Sequence, residues 1–287
     1  MNKIKIAVIG GSGVYKLDGL KDISEIEVDT PFGKPSDAII TGTLNDKRVA
    51  FLPRHGRGHY LIPSEVNYRA NIYALKSLGV RTIISLSAVG SMKVDIAPGD
   101  MLVADQYFDR TKTRPSTFFS NGCVGHISFS EPVCPDLAEV VADVIADSGV
   151  KVHRGGTYIC IEGPQFSTLG ESRIYRSWGV DVIGMTALPE AKLAREAGIC
   201  YSTIAMITDY DCWYPEHDAV TTDMVVKQIN ENSANAKKVI AGIIDKIDTD
   251  TVRKCGCRDA ADGAVMTDPE KLDPAVADKL KVILEKI

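Results

Sequence analysis

The sequence predicts an α/β fold, in which one main domain is built on a central mixed β-sheet flanked by helices. Short apolar segments typical of strands alternate along the chain with amphipathic segments typical of helices. Most strand segments run into a loop of small, polar or charged residues before the next helix begins, as in layered α/β folds. No internal repeat or linker interrupts this pattern before about residue 250.

The first half of the chain is predicted to contain strands rich in β-branched residues, a hairpin and a helix that stops near Gly79. Two strands end in small-residue loops, Gly10-Gly11-Ser12-Gly13 and Ser87-Ala88-Val89-Gly90-Ser91. Glycines in the first loop let backbone N–H groups approach an anion, although its spacing is neither that of a dinucleotide-binding loop nor that of a Walker A loop. The predicted strands lie at residues 3–9, 37–44, 48–52, 81–87 and 101–104, and the helix at residues 66–78.

The second half alternates strands and helices. A helix at residues 135–148 has aliphatic residues on one face and Gly149 as its stop, and a helix at residues 190–197 begins after Pro189. The remaining predicted elements are strands at residues 157–161 and 180–183, an apolar strand from Ile204, and helices at residues 171–177, 222–247 and 274–287. The last helix belongs to a polar extension, residues 249–287, which we separate from a main domain of residues 1–248.

Composition bounds the function classes. The 287 residues are 45% hydrophobic, which suffices for a substantial core, and carry a net charge of -5. This charge offers no basic field for nucleic acid, and no apolar run approaches the roughly 18 residues of a membrane span. The amino terminus enters a strand without a signal-peptide pattern. We therefore expect a soluble cytoplasmic protein with no nucleic-acid or membrane partner.

Cationic side chains concentrate after the predicted hairpin, where Arg54, His55, Arg57 and His59 lie within seven residues of sequence, PRHGRGH. Because arginine donors match two phosphate oxygens at once, this density in an acidic protein favours a bound anion. The alternative is a solvated loop with one arginine paired to a carboxylate.

Two aspartates follow the apolar run from Ile204. Asp209 and Asp211 would lie at the carboxyl edge of the sheet, where open α/β folds place their ligands, and would point to the same side if the backbone stays extended through Tyr210. Crowding raises the pKa of one carboxyl group, so the pair supplies one carboxylate and one carboxylic acid. These suit the exocyclic amine and N7 of a 6-aminopurine. The alternative is a pair of ordinary loop acids.

The seven cysteines suggest no disulfide framework. Cys255 and Cys257 flank a glycine in the polar extension, so they form a tight disulfide, half of a metal site, or two exposed thiols. We rank the disulfide above the metal site because no further His or Cys in the extension completes a set of four ligands.

Together these loops resemble the nucleoside phosphorylase superfamily, in particular its trimeric branch, which contains methylthioadenosine and methylthioinosine phosphorylases. The resemblance covers residues 6–246. It rests on these motifs in order: GGSG, PRHGRGH, NYRAN, SAVGS, PGD, DQYFDRT, EGPQFST, GMTALPEA and IAMITDYDCW.

The resemblance implies a homotrimer and a set of site residues. Met185 would contact the ribose, Phe166 would cover the base with Ser167 beside it, and Asp209 and Asp211 would bind the base edge. The phosphate-binding residues would be Ser12, Arg54, His55, Ser87, Ala88 and Thr186. The residues near the 5′ substituent would be His59, Thr222, Val225 and Val226, and His126 would reach into a neighbouring subunit's site.

The implied reaction is phosphorolysis of S-methyl-5'-thioadenosine to adenine and 5-methylthioribose 1-phosphate, with Asp211 as the acid toward N7. It needs no metal or cofactor, since inorganic phosphate is a co-substrate. Thr222 stands where the family commonly has valine, and its hydroxyl suits a 5′-OH, which leaves adenosine open as a substrate. A broader alternative includes the 6-oxopurine nucleosides methylthioinosine and inosine, although the two aspartates favour a 6-aminopurine. Two less favoured functions are those of a nucleosidase, which would use water in place of phosphate, and of a non-catalytic nucleotide-binding protein.

Overall fold

The computed structural model describes residues 4–11, 17–214, 222–248 and 255–286, and within the long fifth helix it leaves out the side chains at 222–227, 229–231 and 233. The strands are β1 (Ile6–Gly10), β2 (Lys21–Ile26), β3 (Ile39–Leu44), β4 (Lys47–Pro53), β5 (Thr82–Ser91), β6 (Met101–Val103), β7 (Gln106–Arg110), β8 (Val152–Arg154), β9 (Thr157–Ile161), β10 (Val182–Gly184) and β11 (Cys200–Asp209). The α-helices are α1 (Tyr68–Ser77), α2 (Pro135–Asp147), α3 (Leu169–Ser177), α4 (Glu190–Glu196), α5 (Thr222–Lys246) and α6 (Pro274–Leu284).

The strands form one mixed sheet, which confirms the predicted fold class. Its main path runs β2-β3-β4-β1-β5-β10-β9-β7, and β11 branches from β5 to carry β6 and β8. Strands β4, β1, β5 and β11 are parallel neighbours in that order, whereas β10 joins β5 in antiparallel fashion. The carboxyl ends of the four parallel strands therefore meet at one edge of the sheet.

Helices cover both faces of the sheet. Alternate residues of β1 point to opposite faces, because strand side chains alternate with a period of two. Ala7 and Ile9 belong to the core shared with α1, α4 and α6, whereas Ile6 and Val8 belong to the core shared with α2 and α5. No helix in the described parts of the chain combines the length and apolarity that crossing a bilayer requires.

The carboxyl-terminal extension packs on the main body. Its Met266 N–H donates to the Val124 carbonyl at 2.8 Å, Val265 forms an isolated β-bridge with Gly125, and Leu280 and Ile283 of α6 are buried. The division between residues 248 and 249 stays a prediction.

Three short strands are absent from the sequence-based prediction. β2 lies on the edge of the sheet and is exposed along almost its whole length, so its residues show no apolar alternation. β7 follows β6 closely, in a segment to which the sequence analysis assigns no strand, and β8 has only three residues. Pairing with neighbours that are distant in sequence, rather than a local pattern, makes these segments extended.

Candidate active site

A cavity of about 520 Å³ opens at the carboxyl ends of the parallel strands. Cationic and hydroxyl side chains after β4 and in β5 line one part of it, and the two aspartates after β11 line another. It brings together these predicted site residues: Arg54, His55, His59, Ser87, Ala88, Phe166, Ser167, Met185, Thr186, Asp209 and Asp211.

Arg54 is held by a buried carboxylate that sequence reasoning did not place in the site. Its Nε and Nη2 donate to the two carboxylate oxygens of Glu190, at 2.8 and 2.9 Å, while Nη2 also donates to Ser85 Oγ and Nη1 to the Leu86 carbonyl. Burial alone would lower the pKa of Arg54, but the charge and hydrogen bonds of Glu190 hold it above its ordinary value. The side chain is thus a fixed cation, with one Nη1–H left over from its five donors.

His55 is neutral near pH 7. Burial, and next the charge of Arg54, lower its pKa to about 4. Its Nδ1 lies 2.9 Å from the Leu61 carbonyl oxygen, which can only accept, so Nδ1 carries the proton and Nε2 is an acceptor. The His59 ring stacks on it with centroids 4.7 Å apart.

Three hydroxyl groups meet beside the cation. Ser87 Oγ lies 2.8 Å from both Tyr158 Oη and Thr186 Oγ1, and the Thr186 N–H donates to Tyr158 Oη at 3.4 Å. Burial raises the pKa of Tyr158 to about 12, so its hydroxyl stays protonated. Each hydroxyl both donates and accepts, and the cluster can therefore turn its protons toward an anion.

A β-bulge positions Asp209. Ile207 pairs with Val89 but Asp209 pairs with Gly90, so Thr208 is an extra residue in β11, and its hydroxyl donates to Asp209 Oδ2 at 2.7 Å. Gly90 is needed for space, since a Cβ atom there would lie 2.9 Å from Asp209 Oδ1.

The backbone does not stay extended through Tyr210, which was the condition for the two aspartate side chains to point to the same side. β11 ends at Asp209, and Asp211 begins a short 3-10 turn with φ 51. Both aspartate side chains nevertheless line the cavity, because the Asp211 N–H folds back to donate to Asp209 Oδ1 at 2.8 Å. Ser172, in α3, donates to Asp211 Oδ2 at 2.5 Å.

Burial raises the pKa of both aspartates, and the charge of Asp209 further raises that of Asp211. Both oxygens of Asp209 accept hydrogen bonds, as a carboxylate's do, and the side chains of Ser172 and Cys212 donate to Asp211 at Oδ2. The two carboxyl groups therefore titrate as an interacting pair, in which the charge of Asp209 favours the acid form of Asp211.

The loops after β9 and β10 supply the apolar wall and are tied together by Arg114. Its Nη1 donates to the Met185 and Leu188 carbonyls at 2.6 and 2.7 Å, and its Nη2 to the Glu162 carbonyl at 2.7 Å. Phe166 on this wall is 48% exposed. The buried Ser167 hydroxyl has no partner among the described residues, which leaves it available to a ligand.

The remaining predicted residues fall outside this cavity or outside the description. His126 is exposed and does not line it. Arg57, from the same cationic loop as Arg54, pairs instead with Asp37 and Glu25 on the surface. Ser12 and the side chains of Thr222, Val225 and Val226 lie outside the described residues.

Sequence reasoning missed the residues that hold the lining side chains in place, namely Glu190, Ser172, Tyr158 and Arg114. The sequence contained one indication of a role for Glu190, which lies in the GMTALPEA motif. However, a carboxylate in the first turn of a helix is also typical of ordinary helix capping. Ser172, within a short helix, had no such indication.

The chain belongs to the phosphorylase superfamily, whose family model matches residues 5–245. It is 54% identical to the S-methyl-5'-thioadenosine phosphorylase of Geobacter sulfurreducens over 280 residues, 97% of each protein. It also resembles a crystal structure of a methylthioadenosine phosphorylase from an antarctic soil metagenomic library, with a TM-score of 0.94, 45% identity, and coverage of 99% of this chain and 100% of that one. The methylthioadenosine phosphorylase of Schistosoma mansoni in complex with adenine matches with a TM-score of 0.84 and 34% identity, covering 92% of this chain and 99% of that one.

Proposed function

We propose that this chain catalyses the phosphorolysis of S-methyl-5'-thioadenosine to adenine and 5-methylthioribose 1-phosphate. The observation that carries the proposal is one cavity with a buried cation and hydroxyl cluster in one part and two adjacent aspartates with raised pKa values in another. The relatives named above bear the same activity in their names.

In the proposed reaction, a phosphate oxygen attacks C1′ of the ribose while the C1′–N9 bond breaks. The electron pair of that bond goes to the purine, and the proton on Asp211 Oδ1 goes to N7, so that adenine leaves neutral. Ser172 holds the acid through Oδ2. Its raised pKa supports this role, because an acid must still be protonated near the working pH.

Asp209 selects the base in this proposal. As a carboxylate with both oxygens already accepting hydrogen bonds, it suits the donor amine of a 6-aminopurine and repels the oxygen of a 6-oxopurine. This disfavours methylthioinosine and inosine as substrates.

Phosphate would be held by Arg54, His55, Ser87, Ala88 and Thr186. The Arg54 cation is balanced by Glu190, so the phosphate meets directed donors rather than a large excess of positive charge. Because His55 Nε2 is an acceptor, it would accept a hydrogen bond from the O–H group of a protonated phosphate. Ser12 is proposed for the same site from the sequence alone. No cofactor takes part in this proposal.

We also propose that the chain forms a homotrimer. Four large apolar side chains on and beside α3 are 41–54% exposed, namely Phe108, Leu169, Ile174 and Trp178, and the Phe108 and Trp178 rings touch edge to face at 5.4 Å. An apolar patch of this kind favours burial against another subunit. His126, exposed and outside its own chain's cavity, is then free to approach a neighbour's. Light scattering should give three times the chain mass, and a monomer would contradict the proposal.

The activity test is release of free base from methylthioadenosine, adenosine, methylthioinosine and inosine, each with and without phosphate. We expect phosphate-dependent release of adenine, fastest from methylthioadenosine. Hypoxanthine release at a comparable rate would overturn the role of Asp209, and release without phosphate would identify a nucleosidase.

A further inference from the structure

Four cysteines from three separate places in the sequence converge at one point. Cys134 is the N-cap of α2, Cys200 is the first residue of β11, and Cys255 and Cys257 flank Gly256 in the extension. All four Sγ atoms lie within 4.8 Å of one another, and those of Cys200 and Cys255 are 3.5 Å apart. The extension holds no further cysteine, so the main domain supplies the second pair of sulfurs.

We propose that Cys134, Cys200, Cys255 and Cys257 bind one structural Zn²⁺ ion as a tetrathiolate. Zinc is held tetrahedrally by thiolates at about 2.3 Å, so its sulfur atoms lie about 3.8 Å from one another. The Sγ atoms of Cys200 and Cys255, 3.5 Å apart, are close to that edge length, and no two sulfurs of the cluster are more than 4.8 Å apart. On binding, four thiols release four protons, and the oxidation state of sulfur and metal does not change.

The surroundings of the cluster suit a closed structural site. Cys134, Cys200 and Cys257 are at most 8% exposed, and none of the four lines the cavity. Four thiolates and one Zn²⁺ carry a net charge of −2, part of which the positive amino end of α2 offsets at Cys134. Gly256, with φ 67, lets the chain reverse between its two cysteines so that both sulfurs face the same point.

Two disulfides are the rival arrangement. A disulfide brings its two sulfur atoms to about 2.05 Å from each other, but it does not fix their distance from the sulfur atoms of a second disulfide. Here every sulfur is near the three others, which is what a shared central ion requires and a pair of independent bonds does not. The seven cysteines in this structure are free thiols.

The site would fasten the extension to the main body. Cys255 and Cys257 belong to the segment that leads into α6, while Cys134 and Cys200 begin a helix and a strand of the central fold. A zinc ion between them cross-links residues about 55 positions apart or more in sequence, independently of the reaction in the cavity.

The test is the metal content of full-length protein expressed with added zinc and purified with a phosphine reductant and no chelator. We expect about one zinc per chain in the wild type and in Cys123→Ser, which alters a buried cysteine outside the cluster. Cys255→Ser and Cys257→Ser should lose zinc, with affinity roughly tenfold weaker or more. Cys255 is only partly buried, so its replacement should leave the main body folded.

A second measurement needs no variant. Wild-type protein stripped of metal under reductant and titrated with Co²⁺ should develop the sulfur-to-cobalt charge-transfer absorption of a tetrahedral thiolate site, saturating at about one ion per chain. Zinc-free protein that shows no such absorption would overturn the proposal. A second result would also overturn the proposal. In it, the wild-type protein is isolated without zinc, its intact mass shows two disulfides, and these disulfides form again after reduction and dialysis.

Discussion

Replacing Asp211 with asparagine should remove the acid and preserve its setting. Asparagine has nearly the same shape, and its Oδ1 can accept the Ser172 hydroxyl that now bonds Asp211 Oδ2 at 2.5 Å. Its amide can still donate a hydrogen bond to N7, but it cannot transfer a proton. The loss therefore isolates proton transfer from base binding.

General acid catalysis typically contributes about 10²- to 10⁴-fold in rate, which corresponds to about 3–5 kcal/mol of transition-state stabilisation. We expect kcat for methylthioadenosine to fall by that factor in Asp211→Asn, with a smaller change in KM because the cavity wall is intact. Since burial and the charge of Asp209 raise the pKa of Asp211, its acid form is lost as pH rises through that pKa. Wild-type kcat should decline on this alkaline side, and the variant should lack the decline.

The assay is steady-state adenine release at saturating phosphate across pH. Asp143→Asn is the matched control, because Asp143 makes an exposed ion pair with Arg154, neither residue lines the cavity, and the change should leave kcat unchanged. A variant Asp211→Asn within tenfold of the wild type, with the same pH profile, would refute the assignment of Asp211 as the acid.

Three further predictions rest on the same contacts. Glu190→Gln leaves the buried Arg54 cation without its counter-charge and should lower the free energy of unfolding, measured in urea, by about 3–5 kcal/mol. The control Asp143→Asn should lower it by about 1 kcal/mol or less, and equal losses would contradict a stabilising Arg54–Glu190 pair. Gly90→Ala puts a Cβ atom 2.9 Å from Asp209 Oδ1 and should lower kcat/KM roughly tenfold or more. The control Gly170→Ala should leave kcat/KM unchanged, because the nearest atom to its added Cβ lies at 3.9 Å. Similar kcat/KM values for both variants would show that the β-bulge accommodates the added methyl group. Because the pKa of His55 falls to about 4 on folding, the unfolded chain binds the proton more readily, so this contribution to stability is present above about pH 6.5 and is lost as pH falls toward 4. His55→Gln should flatten that part of the stability profile by up to about 3 kcal/mol, and an unchanged profile would contradict the neutral, buried imidazole.

Much of this architecture is readable from the sequence because the lining residues sit in short motifs at strand ends. The apolar run of β11 predicts a buried strand, and its abrupt end at Asp209 predicts where a ligand lies. The local path beyond it was not predictable, since the bulge at Thr208 and the left-handed Asp211 depend on packing against Val89 and Gly90 of β5. The pattern of apolar and polar residues predicts which face of the sheet a side chain lies on, but it does not predict where a β-bulge interrupts the pairing of two strands.

The residues that hold the lining side chains escaped prediction for a different reason. Glu190 reaches Arg54 across 136 positions, and Ser172 reaches Asp211 across 39, so no spacing rule connects them. The cysteine cluster is the same case. Cys255 and Cys257 were visible as a pair, but Cys134 and Cys200 look like ordinary core thiols until the fold brings all four together.

Strand β11 contributes residues to both the proposed active site and the proposed zinc site, and its length allows the two sites to be tested separately. It carries Cys200 at its first residue and Asp209 at its last, which a ten-residue strand places about 30 Å apart. A metal ion at the first end cannot act on the reaction at the second except through the stability of the strand and of the extension. Removing zinc should therefore lower the melting temperature while kcat/KM, measured well below that temperature, stays at the holoprotein value. Loss of kcat/KM in metal-free protein that remains folded by circular dichroism would show that the cysteine cluster does more than fasten the extension.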